Sequence, residues 1–148
     1  DDAFLRAGRF DYKIPFLYPG PYARLEILLV HLGYQEGSSR NKTPLAIDED
    51  KLRDVLMEDI VPLTPNFSCA ELEELVIRAK RIAFDKQKES VGRLELLDAT
   101  KTFRIDAPHR KRVIDACMEQ ARHFTDDQSF LDAIEEENKI YDNEGQSA

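Results

Sequence analysis

Arg6 and Arg9 stand three residues apart in the opening stretch Asp1-Asp2-Ala3-Phe4-Leu5-Arg6-Ala7-Gly8-Arg9-Phe10-Asp11. A guanidinium is planar, permanently charged and a fork of donors, so two placed together suit phosphate oxygens. Phe4, Leu5 and Phe10 flank the pair with apolar side chains, which would fix the backbone by packing and leave the charged ends free. Outside any wider motif, the same two arginines also fit a surface pair bonded to Asp1, Asp2 or Asp11. His31 is the next group able to do chemistry. It lies on an otherwise apolar helical stretch, where a histidine is either a satisfied half-buried side chain or a ligand contact. Cys69 sits at a helix start, as an inert packed cysteine or a candidate reactive thiol.

The elements that must position these groups are helical. Tyr12 to Leu17 alternates and reads as one short strand, with Pro15 suited to an edge or strand end. Pro21 can open a helix, and Ile27, Leu28 and His31 follow at helical spacing until Gly33 stops it. Residues 33–44 form a polar loop, expected to be mobile, that reads as solvent-exposed slack or as a partner contact. A second helix is predicted over about 48–57, with Pro62 and Pro65 in the loop after it. Ser68-Cys69-Ala70-Glu71 is a capping box, and Leu72, Leu75, Val76, Ala79, Ile82 and Ala83 make a continuous stripe behind it to about Lys86. Further helices are predicted over about 94–103, from Pro108 onward, and over about 127–140. Residues 141–148 read as a disordered tail.

Three segments together resemble the AAA ATPase family. The opening stretch is similar to its arginine-finger motif, x-D-x-A-x-x-R-P-G-R-F-D, with Ala7 in place of the proline. Arg24-Leu25-Glu26-Ile27-Leu28-Leu29-Val30-His31 resembles the first helix of the family's lid, R-x-x-I-L-x-x-H. Asn66-Phe67-Ser68-Cys69-Ala70-Glu71-Leu72 resembles G-[FY]-[ST]-G-A-[DE]-L, with Asn66 and Cys69 replacing both glycines. The resemblance covers residues 1–32 and 45–103 in the right order.

That resemblance implies roles. Arg6 and Arg9 would reach a neighbouring subunit's γ-phosphate, where such a finger is worth roughly 10³–10⁵ in rate. His31 would contact the ribose or adenine, and Ile27, one turn earlier, would touch the base. Cys69 and Ala70 would sit where the helix start approaches the adenine, and the Cys69 side chain would loosen or shift the base. The strand at 12–17 would be the last of a large α/β subdomain that is otherwise missing.

Absences bear on the same expectation. No G-x-x-x-x-G-K-[ST] phosphate loop occurs, the six glycines are scattered, and no Mg²⁺-binding or water-activating carboxylate motif is visible. The chain, which opens without Met, therefore reads as the C-terminal part of an AAA module, inactive as a hydrolase by itself and binding neither ATP nor Mg²⁺ tightly. The expected fold is mainly α: a small helical bundle with a C-terminal helical extension and one orphan N-terminal strand. Its expected division is 1–20 for the end of the large subdomain, 21–103 for the lid, 104–140 for the extension and 141–148 for the tail.

In the intact protein the resemblance implies ATP with Mg²⁺, a homo-oligomeric and hexameric ring, and hydrolysis coupled to remodelling of a protein substrate in the cytoplasm. The alternative is a non-enzymatic helical interaction domain with a vestigial motif. The net charge of -8 argues against a nucleic-acid surface, and His109-Arg110-Lys111-Arg112 reads as a solvated helix turn. No apolar run approaches the ~20 residues of a membrane span. Cys69 and Cys117 follow no metal or redox spacing, so they read as reduced cysteines of an intracellular protein.

Overall fold

A computed structural model describes residues 16–125 and 127–136. The fold is mainly helical. α1 (Pro21–Leu32) starts with proline at its first turn, where the missing N–H costs nothing. It ends at Gly33, whose φ of 84° closes the helix and sets its Cα against the Asn41 carbonyl; a Cβ there would lie 2.6 Å from that oxygen. The loop that follows is folded back on α1. Thr43 N–H donates to the Leu32 carbonyl at 2.8 Å, and the Tyr34 hydroxyl donates to the Thr43 carbonyl at 2.8 Å.

The second helix predicted from sequence is an irregular run. A 3₁₀ turn (Glu49–Lys51) leads into α2 (Leu52–Val55), then a π-helical turn (Leu56–Ile60), then a second 3₁₀ turn (Val61–Leu63). The widened turn brings both Leu56 and Ile60 fully into the core. Pro62, placed in a loop by the sequence reading, belongs to the closing 3₁₀ turn.

α3 (Cys69–Asp85) is the spine of the bundle. Its capping box is formed in full: Glu71 N–H donates to Ser68 Oγ at 3.3 Å, and Ser68 N–H donates to Glu71 Oε2 at 2.8 Å. α4 (Arg93–Thr100) packs against α3 and ends three residues before the predicted limit. Thr100 and Thr102 turn their hydroxyls back onto the carbonyls of Leu97 and Ala99 at 2.7 Å, which competes with further helix.

Leu25, Leu28, Leu29 and Leu32 of α1 share one core with Leu52, Leu56, Ile60, Leu72, Leu75, Val76 and Leu96. α5 (Ala107–Phe124) and α6 (128–136) centre a second cluster of Ile114, Met118 and Ile134, against which Leu17, Tyr18 and Phe130 pack.

Among the described residues strand pairing is limited to an isolated parallel bridge between Leu45 and Val91. Of the predicted strand, residues 16 and 17 are not in strand geometry; residues 12–15 lie outside the described residues, as do the arginine motif at 1–11 and the tail at 141–148. No described helix is long and apolar enough to cross a membrane.

Candidate nucleotide-facing site

α1 and α3 pack side by side, and their neighbouring surfaces carry the candidate groups. Ile27 and His31 are four residues apart on α1 and so share a face. Ile27 is half-buried against the main core, while His31 lies at its edge with 16% of its side chain exposed. Across from it, Glu73 Oε1 of α3 stands 3.7 Å from His31 Nδ1. Glu73 is one turn beyond Cys69, so the first turns of α3 and the end of α1 form one surface. Cys69 and Ala70, the first two residues of α3, are both exposed.

The loop contributes a residue that sequence reasoning missed. Arg40 Nη1 donates to His31 Nδ1 at 3.2 Å. Burial pushes the His31 imidazole below its ordinary value; Glu73 opposes that shift, and Arg40 and Lys80 reinforce it. His31 is therefore neutral near pH 7, ringed by one carboxylate and two cations. No local pattern would have pointed to Arg40, since the loop between it and α1 has no fixed period.

The turn before α3 explains one departure from the family pattern. Asn66 replaces a glycine, and its φ is 57°. Left-handed backbone favours glycine, and asparagine is the commonest substitute because its short polar side chain tolerates it. The backbone geometry of the turn thus survives the replacement. Cys69 has no such constraint: it starts regular helix.

Arg110 corrects the reading of His109 to Arg112 as a solvated turn. His109, Lys111 and Arg112 are exposed, but Arg110 is half-buried. Its Nη1 and Nη2 donate to Glu71 Oε2 and Oε1 at 2.7 and 2.5 Å, and Nη1 also donates to the Asn66 carbonyl. Its guanidinium lies 5.0 Å from the centre of the Tyr18 ring. Partial burial raises the Glu71 carboxyl, but the bonds from Arg110 and Ser68 outweigh it and hold the group below the usual carboxylate range.

Two grooves are also present among the described residues. One of about 390 Å³ is lined by Lys42, Lys80, Phe84 and Lys88 among others, and one of about 270 Å³ lies between Phe16 to Tyr18 and α5. Among the described residues no group of three or more His, Cys, Asp or Glu side chains is gathered to hold a metal ion.

Comparison with known proteins decides the family. Over 111 residues the chain is 39% identical to the ATP-dependent zinc metalloprotease FtsH 1 of Thermomicrobium roseum, covering 75% of this chain and 15% of that protein. The ATP-dependent zinc metalloprotease FtsH of Streptobacillus moniliformis is 33% identical over 114 residues, covering 77% of this chain and 15% of that protein. That of Malacoplasma penetrans is 37% identical over 114 residues, covering 77% of this chain and 12% of that protein. The chain belongs to the AAA ATPase family. It spans about 15% of the length of the first of these relatives. No protein-family model matches it.

Proposed function

We propose that this chain is the lid of an AAA ATPase module, closing over the adenosine part of ATP and carrying arginine fingers for the neighbouring subunit. The surface shared by His31 and the first turns of α3 is the observation that supports this most directly. A neutral imidazole can donate to a ribose oxygen through Nε2–H while Nδ1 accepts from Arg40. Ile27, one turn away, offers apolar contact to a base, and exposed Cys69 and Ala70 leave the α3 start open to a ring edge.

In this reading residues 1–20 end the large subdomain, 21–103 are the lid, and 104–140 extend it. The intact protein binds ATP with Mg²⁺, assembles as a cytoplasmic homo-oligomeric ring, and couples hydrolysis to remodelling of a protein substrate. Arg6 and Arg9 act on the neighbour's γ-phosphate, where charge redistributes during transfer.

The test is subunit mixing in the intact protein. Arg6→Ala and Arg9→Ala should each cut ATP hydrolysis steeply and leave nucleotide binding nearly unchanged. Finger-dead subunits should regain hydrolysis at their own pockets beside subunits that keep the arginines but have a dead pocket. Co-assembled rings with no recovery would overturn the in-trans role.

A further inference from the structure

The C-terminal helices are tied to the lid at the turn that the proposed function places against adenine. Arg110 makes that tie with all its contacts converging on one spot: both oxygens of Glu71, the Asn66 carbonyl, and the face of Tyr18. Asn66 and Glu71 bracket Phe67 to Ala70, so one guanidinium grips both ends of the segment that presents Cys69 and Ala70. Glu71 is shared. The same carboxylate that accepts from Ser68 N–H and Ser68 Oγ to cap α3 also accepts from Arg110, which fixes its rotamer. Asn66 stands in left-handed backbone that an L-residue adopts at a cost, and the carbonyl it thereby turns outward is the one Arg110 holds.

We infer that Arg110 is a positioning residue for nucleotide binding: it holds the Asn66–Glu71 turn in the shape that admits the adenine, so the docked position of α5 sets nucleotide affinity. This rests on the proposed lid function. It adds that the C-terminal helices act on the pocket through α3. A flat bidentate fork is needed to span two carboxylate oxygens and a carbonyl together, and a lysine ammonium cannot reproduce it. Linkage makes the coupling reciprocal, so bound nucleotide should in turn hold α5 in place.

The experiment compares wild type, R110A, R110K, E71Q and H31A in the intact protein, reading affinity for a fluorescent ADP, maximal ATPase rate and amide exchange. R110A should weaken ADP about tenfold, with the rate at saturating ATP changed less than about twofold. R110K should recover only part of the affinity. E71Q keeps a capping-box side chain while weakening the ion pair, so it should shift affinity in the same direction even if R110A folds poorly. ADP should slow exchange in α5 of wild type and fail to do so in R110A. If H31A weakens ADP while R110A and E71Q bind it as wild type does, Arg110 is only a brace and this inference falls while the lid reading stands. If H31A leaves ADP affinity untouched, the site reading falls and takes this inference with it.

Discussion

Arg40 Nη1 lies 3.2 Å from His31 Nδ1, and because an arginine can only donate, the imidazole must accept there and carry its hydrogen on Nε2. Protonating His31 would set two donors against each other. Burial, the largest cause, lowers the folded-state value, so this group contributes stability that is present above its ordinary value of about 6.5 and lost as pH falls through the folded value. Titration of the His31 ring by NMR should give a midpoint below 6.5. R40A should move that midpoint upward, since a lowering charge is removed and the raising influence of Glu73 remains. A midpoint that R40A leaves in place would show that the contact does not form in solution.

Asn66 should tolerate glycine and little else. N66G removes both the left-handed strain and a buried side-chain oxygen without a hydrogen-bond partner, so stability should hold or rise by up to about 1 kcal/mol. N66V puts a β-branched residue at φ 57° and should cost about 1–3 kcal/mol. Urea unfolding of both variants orders them; equal stabilities would contradict the turn geometry.

Arg24 is fully buried, with Nη1 donating to the Pro19 carbonyl and Nη2 to the Val61 carbonyl, each at 3.3 Å. It is thus a brace joining α1 to the second 3₁₀ turn, in the position where the family pattern begins. R24A should cost about 3 kcal/mol, because it opens a cavity and removes the hydrogen bonds that tie Pro19 and Val61 to α1. R24K should not restore the loss, since one ammonium cannot span both oxygens in the same way. Thermal unfolding of the two variants is the check.

Glu95 is buried at the start of α4, accepting from Gly92 N–H at 3.0 Å and from Lys88 Nζ at 2.7 Å. The Lys88 bond lowers its carboxyl; burial opposes this, and the Gly92 N–H adds to the lowering. Its stability is present above the ordinary carboxylate value of about 4.3 and lost as pH falls through the folded one. E95Q should therefore be less stable than wild type at pH 7 and show a shallower loss between pH 5 and pH 3. Parallel melting curves across that range would refute it.

What the sequence made legible was local. The capping box at Ser68, the α3 stripe and the proline start of α1 each depend on residues within a turn or two of one another, and each is present in the structure. The run from Glu49 to Leu63 was legible as helix only to about Met57, and not as a chain of 3₁₀, α and π turns, because the widened turn serves the packing of Leu56 and Ile60 and leaves no period in the sequence. His31 could be singled out by its type on an apolar face, yet its partners come from the loop and from α3. Arg110 was misread for the same reason: its partner Glu71 is 39 residues away, and a basic cluster gives no sign of which member turns inward.

The parallel bridge between Leu45 and Val91 bears on the order in which the chain assembles. Ala46 N–H donates to the Val91 carbonyl at 2.9 Å and Val91 N–H to the Pro44 carbonyl at 2.8 Å, so two loops that bracket α2 and α3 are buttoned together. Neither bond can form until α3 has reversed the path of the chain, because closing so long a stretch by itself brings an entropic penalty that two hydrogen bonds do not offset. The bridge is then expected to close late in folding, and amide exchange at Ala46 and Val91 faster than in the packed α1 and α3 would show it.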